Sequence, residues 1–352
     1  MHRQLLLIAT CILGWAGTAA AQQPTTAASL KTAYSISKNA TSESEYTQII
    51  DQIQQSDLAA ADEEVRSYGN QLLAWALNRR GELRWDQIQA PDDEFATAAI
   101  EDFRNALRLD PNRWRAKQNM AFVYATRGQM KEAEALFDDV IQTKPDHANA
   151  FFNRGELRYE MGKLPAAISD YDRAIALQPG EADFYTGRGH ARFQHGDIGP
   201  AIDDYRRAFQ LDKGNATRAI DLADALQNAG QWRSAAENYR NALRLDSQNL
   251  RTLLNLAWLL ATCPDGSLRD GQQALEITQE LRDIPANEEF RYIDTYAAAL
   301  AETGQFEKAT RVAQTGLNLV PASERSGFEA RVANYKSNQR YRQSPIRQVG
   351  GQ

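Results

Sequence analysis

Residues 114–147 read WRAKQNMAFVYATRGQMKEAEALFDDVIQTKPDH, and residues 148–181, ANAFFNRGELRYEMGKLPAAISDYDRAIALQPGE, follow the same plan at an offset of 34. Phe103, Phe137, Tyr171, Tyr205 and Tyr239 keep that step. Aromatics are 9% of the chain, so five in register by chance is about a one-in-a-hundred-thousand event for a given phase. Ala99, Ala133, Ala167, Ala201 and Ala235 hold a second register, and Ala121, Gly155, Gly189, Ala223 and Ala257 a third. Gly128, Gly162, Gly196 and Gly230 recur, as do Pro111, Pro145 and Pro179, with Lys213 and Ser247 in the later proline slots. FRNALRLD at 103–110 returns as YRNALRLD at 239–246, and NRRGELRW at 78–85 is echoed by NRGELRY at 153–159.

The residue types explain the step. Each unit predicts two helices divided at the glycine, which accepts the positive φ that ends the first. Proline stops the second because it cannot donate to the helical ladder. Small residues where the helices cross let the backbones approach, and the aromatic fills the space beyond. One such hairpin cannot bury its apolar face alone, so each must lean on the next.

These positions resemble the tetratricopeptide repeat, with its small residue at position eight, Gly near fifteen, Ala at twenty, an aromatic at twenty-four and Pro at thirty-two. Four repeats fit without gaps: Trp114 to His147, Ala148 to Glu181, Ala182 to Asn215 and Ala216 to Asn249. An earlier unit, about Leu72 to Asn112, carries an insertion around IQAPDDEF. A sixth starts at Leu250 with Ala257, detours through TCPDGSLRDG and resumes at Ala274. The last, Phe290 to Ala322, has Ala297, Gly304, Ala309 and Pro321, but Ala313 in the aromatic slot, which predicts looser packing there. The resemblance implies an all-α, right-handed superhelical solenoid of antiparallel helix pairs with about six or seven repeats over 72–322.

The flanks read differently. Residues 1–21 have His2 and Arg3, an apolar run from Leu5 to Trp15, and small residues through Ala19 and Ala21. That is a secretory leader, with cleavage expected before Gln22. Its apolar part falls short of the ~20 residues that span a bilayer. Cys11 lacks lipobox neighbours, and its removal leaves Cys263 as a small buried hydrophobe. Residues 22–44 read as a flexible tether and 45–71 as N-terminal capping helices, with Tyr46, Ile49, Ile50 and Ile53 inward. Residues 323–343 read as a C-terminal capping helix (Gly327 to Tyr341, with Phe328, Val332 and Tyr335 inward), and 344–352 as a disordered tail. Arg331, Lys336, Arg340 and Arg342 make that end basic, and a solvated face is the expectation for them.

The chain has 352 residues, 46 acidic and 40 basic, for a formal charge of −6. That sign is wrong for neutralising phosphates, so no nucleic-acid partner is expected. Four His and two Cys are too few for a metal site, and His190 and His195 are not at the i, i+4 spacing that would bring them together. No cofactor and no catalytic residue is assigned, because no G-x-S-x-G elbow, phosphate-cradling loop or H-E-x-x-H motif is present. The chain is read as not an enzyme; a deep pocket with paired carboxylates would revive that class. Asn39 and Asn215 open glycosylation sequons.

The resemblance implies a concave groove lined by the first helix of each repeat. Here it presents Asn119 and Phe122; Phe152, Asn153, Glu156 and Tyr159; His190 and Phe193; Asp221 and Asp224; Asn255 and Trp258. Rings suit apolar anchors and amides suit peptide backbone, although each ring has packing against the next helix as its rival role. A carboxylate clamp of the family's type is matched only at Asn153, because Gln118, Phe122, Asp183 and Gly187 stand where its other groups belong. Asp221 and Asp224 suit a basic or neutral ligand. The expectation is an exported, periplasmic or secreted, non-catalytic scaffold for a protein or peptide partner, without a transmembrane segment once the leader is removed. The alternative is a self-associating or envelope-complex component using the convex face or the basic end.

Overall fold

A computed structural model describes residues 26–91, 93–281 and 283–345. The expected leader, Cys11 and the chain beyond 345 lie outside them. The described residues form seventeen α-helices and no strand. Two compact units divide at residue 163. The first holds α1 (Thr26–Ser37), α2 (Glu43–Gln54), α3 (Glu63–Trp85), α4 (Glu94–Leu109), α5 (Trp114–Thr126), α6 (Met130–Thr143) and α7 (Ala148–Glu160). The second holds α8 (Leu164–Leu177), α9 (Ala182–His195), α10 (Ile198–Leu211), α11 (Ala216–Asn228), α12 (Trp232–Leu245), α13 (Leu250–Thr262), α14 (Gly271–Glu280), α15 (Glu289–Glu302), α16 (Phe306–Thr315) and α17 (Arg325–Lys336). Within each unit successive helices pack side by side, and first helices of adjacent repeats touch, as α11 does α13 and α13 does α15.

The periodic positions do what their chemistry predicts. Gly128, Gly162, Gly196, Gly230 and Gly304 take φ values of 72, 72, 98, 75 and 82°. The next residue's N–H then reaches back five residues along the chain, as in Gln129 N to Tyr124 O at 2.8 Å and Gln231 N to Leu226 O at 2.9 Å. That bond satisfies a carbonyl the helix end would otherwise leave open. Ala99, Ala133, Ala167, Ala201 and Ala235 have no exposed surface, and the five aromatics are at most 5% exposed. At Gly189 an added Cβ would lie 2.9 Å from the Tyr205 ring, and at Gly81 2.6 Å from Phe103. The small residue and the aromatic are therefore two halves of one contact.

Four expectations about the flanks and ends change. The stretch 22–44 is not a tether throughout, because Thr26–Ser37 is helical and buries Leu30 and Ala33 in one core with Tyr46 and Ile49. A stripe of two or three apolar residues among Thr, Ser and Ala suffices when a neighbour covers it. The boundary at 72 falls inside α3, whose N-cap is Asp62 and which runs unbroken for 23 residues. At the other end the helix expected over Gly327 to Tyr341 stops at Lys336. Asn338, at φ 56°, lets Gln339 N bond Asn334 O at 2.8 Å, the same closure the glycines use. Packing around Ala313 is also tight. Ala313 is fully buried, and the closing helix supplies Phe328, edge-on to Phe290 with ring centroids 5.0 Å apart.

Candidate inner-face site

The twelve residues expected on the inner face divide six and six between the units. In the first unit, α5 turns Asn119 inward, where it is 9% exposed and donates to Glu82 Oε1 at 2.8 Å. Asn78 donates to the same oxygen at 2.7 Å. Phe122 stacks on Trp85, with planes 2° apart and centroids at 5.2 Å, and meets Phe137 edge-on at 5.6 Å. Both residues thus join one repeat to the next. Phe152, Asn153, Glu156 and Tyr159 lie half-buried along α7.

In the second unit, half-buried His190 and Phe193 come from α9, Asp221 and Asp224 from α11, and Asn255 and Trp258 from α13. Asp224 is the hub. Its carboxylate accepts from the Tyr239 hydroxyl at 2.6 Å and from Asn255 Nδ2 at 2.8 Å, and it pairs with Arg251. Asn255 Oδ1 in turn accepts from Arg291 at 2.6 Å. Asp221 sits 3.8 Å from Arg251 and 3.9 Å from His190 Nε2. Burial lowers the His190 pKa and raises that of Asp221, so burial works against charge on both partners. The two aspartates, read from sequence as suiting a basic or neutral ligand, thus already meet cations of their own chain. Arg251 and Arg291, each the second residue of its repeat, supply the balancing charge.

A cavity of about 370 Å³ opens beside this network, bounded by Asp224, Gln227, Asn255, Trp258, Asp294 and Arg331, among others. Arg331 from α17 grips Asp294 of α15 in a fork at 3.0 and 2.6 Å. Burial nevertheless pushes the Asp294 carboxyl up to about 6, against the opposing pull of Arg331. The guanidinium also lies 5.5 Å from the Trp258 ring and 5.4 Å from Tyr341, distances at which cation–π attraction operates. Asp224 and Asp294 both face the cavity, but each is bound to its own arginine, which is not the shared-proton arrangement of a catalytic carboxylate pair. Among the described residues no group of His, Cys, Asp and Glu could hold a metal ion. Arg342, expected with Arg331 and Arg340 on a solvated face, instead pairs with Glu302 at 2.7 Å, while Arg340 lies 3.6 Å from the same carboxylate and stays exposed. Charge runs read alone look solvated; here their acidic partners lie one helix pair away.

Sequence reading also missed a buried ion-pair motif. Arg80 and Arg84, one helical turn apart, clasp Asp102 on the partner helix through contacts of 2.6 to 2.9 Å. Arg188 and Arg192 clasp Asp204 at 2.6 to 3.0 Å. The signal was present in the 34-residue register, because the aspartate directly precedes the repeat aromatic and Arg154, Arg158 and Asp170 hold the same positions.

Paired helices with a glycine turn, a small-residue crossing and a buried aromatic in each unit define a helical-repeat protein. Family profiles agree: those described as Tetratricopeptide repeat match residues 95–151 and 220–262, and one described as TPR repeat matches 155–196. Over those stretches the chain carries tetratricopeptide repeats, and proteins of that family are generally non-catalytic scaffolds. Similar solved structures include PilF of Pseudomonas aeruginosa, at 18% identity, TM-score 0.50, covering 74% of this chain and 99% of that one. A tetratricopeptide repeat protein from Parabacteroides merdae is 12% identical, with TM-score 0.51, covering 75% and 98%. At such identity they support the fold alone. No curated protein matches the sequence.

Proposed function

We propose that the chain is a non-catalytic scaffold that holds a protein or peptide partner on the inner face of its repeats, in an exported compartment. The observation that carries the binding reading is the polar cavity beside Trp258, where amides, an aromatic face and paired charges converge on one surface. Such a lining suits a polypeptide, whose backbone groups meet Gln227 and Asn255 while a side chain packs on the ring. Compartment rests on the leader read at 1–21. No described helix is long and apolar enough to cross a membrane.

The test is a cross-linked pull-down from the native envelope or culture fluid. The intact chain is compared with folded Trp258→Ala and Phe152→Ala variants and, as a control away from this face, with Leu245→Ala, which removes an exposed side chain of α12. A partner weakened about 5- to 150-fold by an inner-face change, equivalent to about 1 to 3 kcal/mol, and indifferent to the control supports the reading. Identical recovery by all four chains rejects it.

A further inference from the structure

Beyond α17 the described residues, through 345, stay against the molecule. Residues 339–345 turn back across the ends of α15, α13 and α11 in that order. Arg340 Nε donates to the Glu302 carbonyl at 3.3 Å, and Arg342 pairs with the Glu302 carboxylate at 2.7 Å. The ring of Tyr341 lies 5.7 Å from that of Trp258. Gln343, 8% exposed, donates its backbone N–H to the Thr262 carbonyl at 3.0 Å and accepts from Gln227 Nε2 at 3.1 Å. Pro345 lies so close to Gly230 that an added Cβ there would be 2.8 Å from its ring.

These contacts alternate. Arg340 and Arg342 turn to Glu302, while Tyr341 and Gln343 turn to Trp258 and Gln227, the two-residue period of an extended peptide whose alternate side chains face opposite ways. The segment uses the vocabulary of peptide recognition, with a backbone hydrogen bond for affinity and side-chain seats for specificity. The core beneath is already closed by Phe328, Val332 and Tyr335 of α17.

We infer that residues 339–345 are a resident occupant of the partner site, and that the partner presents an extended segment of arginine–aromatic–arginine order which competes for Glu302 and Trp258. This rests on the inner-face reading above and names its ligand. A tethered occupant acts at an effective concentration on the order of millimolar, so it sets a threshold that only a tighter segment crosses. A glutamate in place of the second arginine would meet the Glu302 carboxylate and be refused.

The probe is a fluorescein-labelled NQRYRQSP peptide, the sequence of residues 338–345, titrated into the full chain by anisotropy. Wild type should bind it weakly. A full-length Tyr341→Ala, Arg342→Ala variant, whose own segment is loosened, should bind it at least about tenfold tighter. Adding Glu302→Gln should abolish the gain, and NQRYEQSP should not bind. Equal or absent binding by wild type and the double variant overturns the inference and leaves the segment a structural strut. If the variant is misfolded by circular dichroism, wild type alone decides: millimolar unlabelled peptide should speed hydrogen exchange at the Gln343 amide, and unchanged exchange overturns the inference. The pull-down keeps the failures apart, because a partner that depends on Trp258 while this peptide does not bind sinks only the present proposal.

Discussion

Asp102 is 1% exposed and meets two guanidinium groups. Its removal would take the carboxylate from Arg80, left with the Thr47 hydroxyl, and one of two from Arg84, left with Glu43, and a half-buried charge that loses its partner costs more than one never placed there. Asp102→Ala should therefore lose about 3 kcal/mol of stability, measured by urea unfolding. A loss below about 0.5 kcal/mol would mean that the arginines reach water without it. Asp294 behaves differently. Its folded value near 6 exceeds the unfolded carboxylate value of about 3.9, so between these the folded state holds more protons than the unfolded one. Stability from this group is fullest below about pH 4 and falls as pH rises toward 6. The difference in unfolding free energy between wild type and Asp294→Asn should decline across that window, and a flat difference would refute the assignment. Tyr239 is the neutral counterpart, its phenol held well above the usual range first by burial and then by Asp224.

At the scale of the helix pair, the crossing residue and the aromatic decide how closely two helices approach. Gly189 faces the Tyr205 ring, so Gly189→Leu has no room without parting α9 from α10. It should cost about 1 to 3 kcal/mol or more in thermal or urea unfolding. Gly199→Leu, where an added Cβ would meet nothing within 4 Å, is the control and should stay within about 1 kcal/mol, the helix preference of leucine over glycine. Equal effects from both would show that helix propensity, not the crossing, governs the pair. α1 shows the converse: its sequence has little intrinsic signal, and its neighbours make it a helix. The capping box at α2, in which Ser42 and Glu45 satisfy each other's backbone N–H at 3.3 and 2.9 Å, was by contrast written in adjacent residues.

For the whole chain, repeat stacking makes stability a sum of local terms and nearest-neighbour terms, so one denaturation midpoint need not describe it. The two units carry separate tryptophan reporters, Trp75, Trp85 and Trp114 in the first and Trp232 and Trp258 in the second. Asp102→Ala should lower the midpoint reported by the first set more than that of the second, followed in variants that keep one set at a time. Equal shifts would show full cooperativity along the array. The leader expectation also belongs at this scale: amino-terminal sequencing of the exported chain should begin at Gln22.

Repeat number, helix pairing, turn glycines and buried aromatics were legible in the amino-acid sequence, because each is dictated by backbone conformation or by size at a fixed spacing. Those constraints act within one hairpin, and the 34-residue register multiplies them until they stand out. The inner face was legible only as a list of positions. Whether Asn119 and Phe122 would join repeats, whether Asp224 would stand bare or be gripped by Arg251 and Tyr239, and whether Arg342 would meet water or Glu302 depended on partners as far as 40 residues away in the chain. Charge compensation and the return of residues 339–345 across α15, α13 and α11 are settled by distances in space. Only the tertiary structure supplies those, because burial makes an unpaired charge costly and packing chooses which partner relieves it.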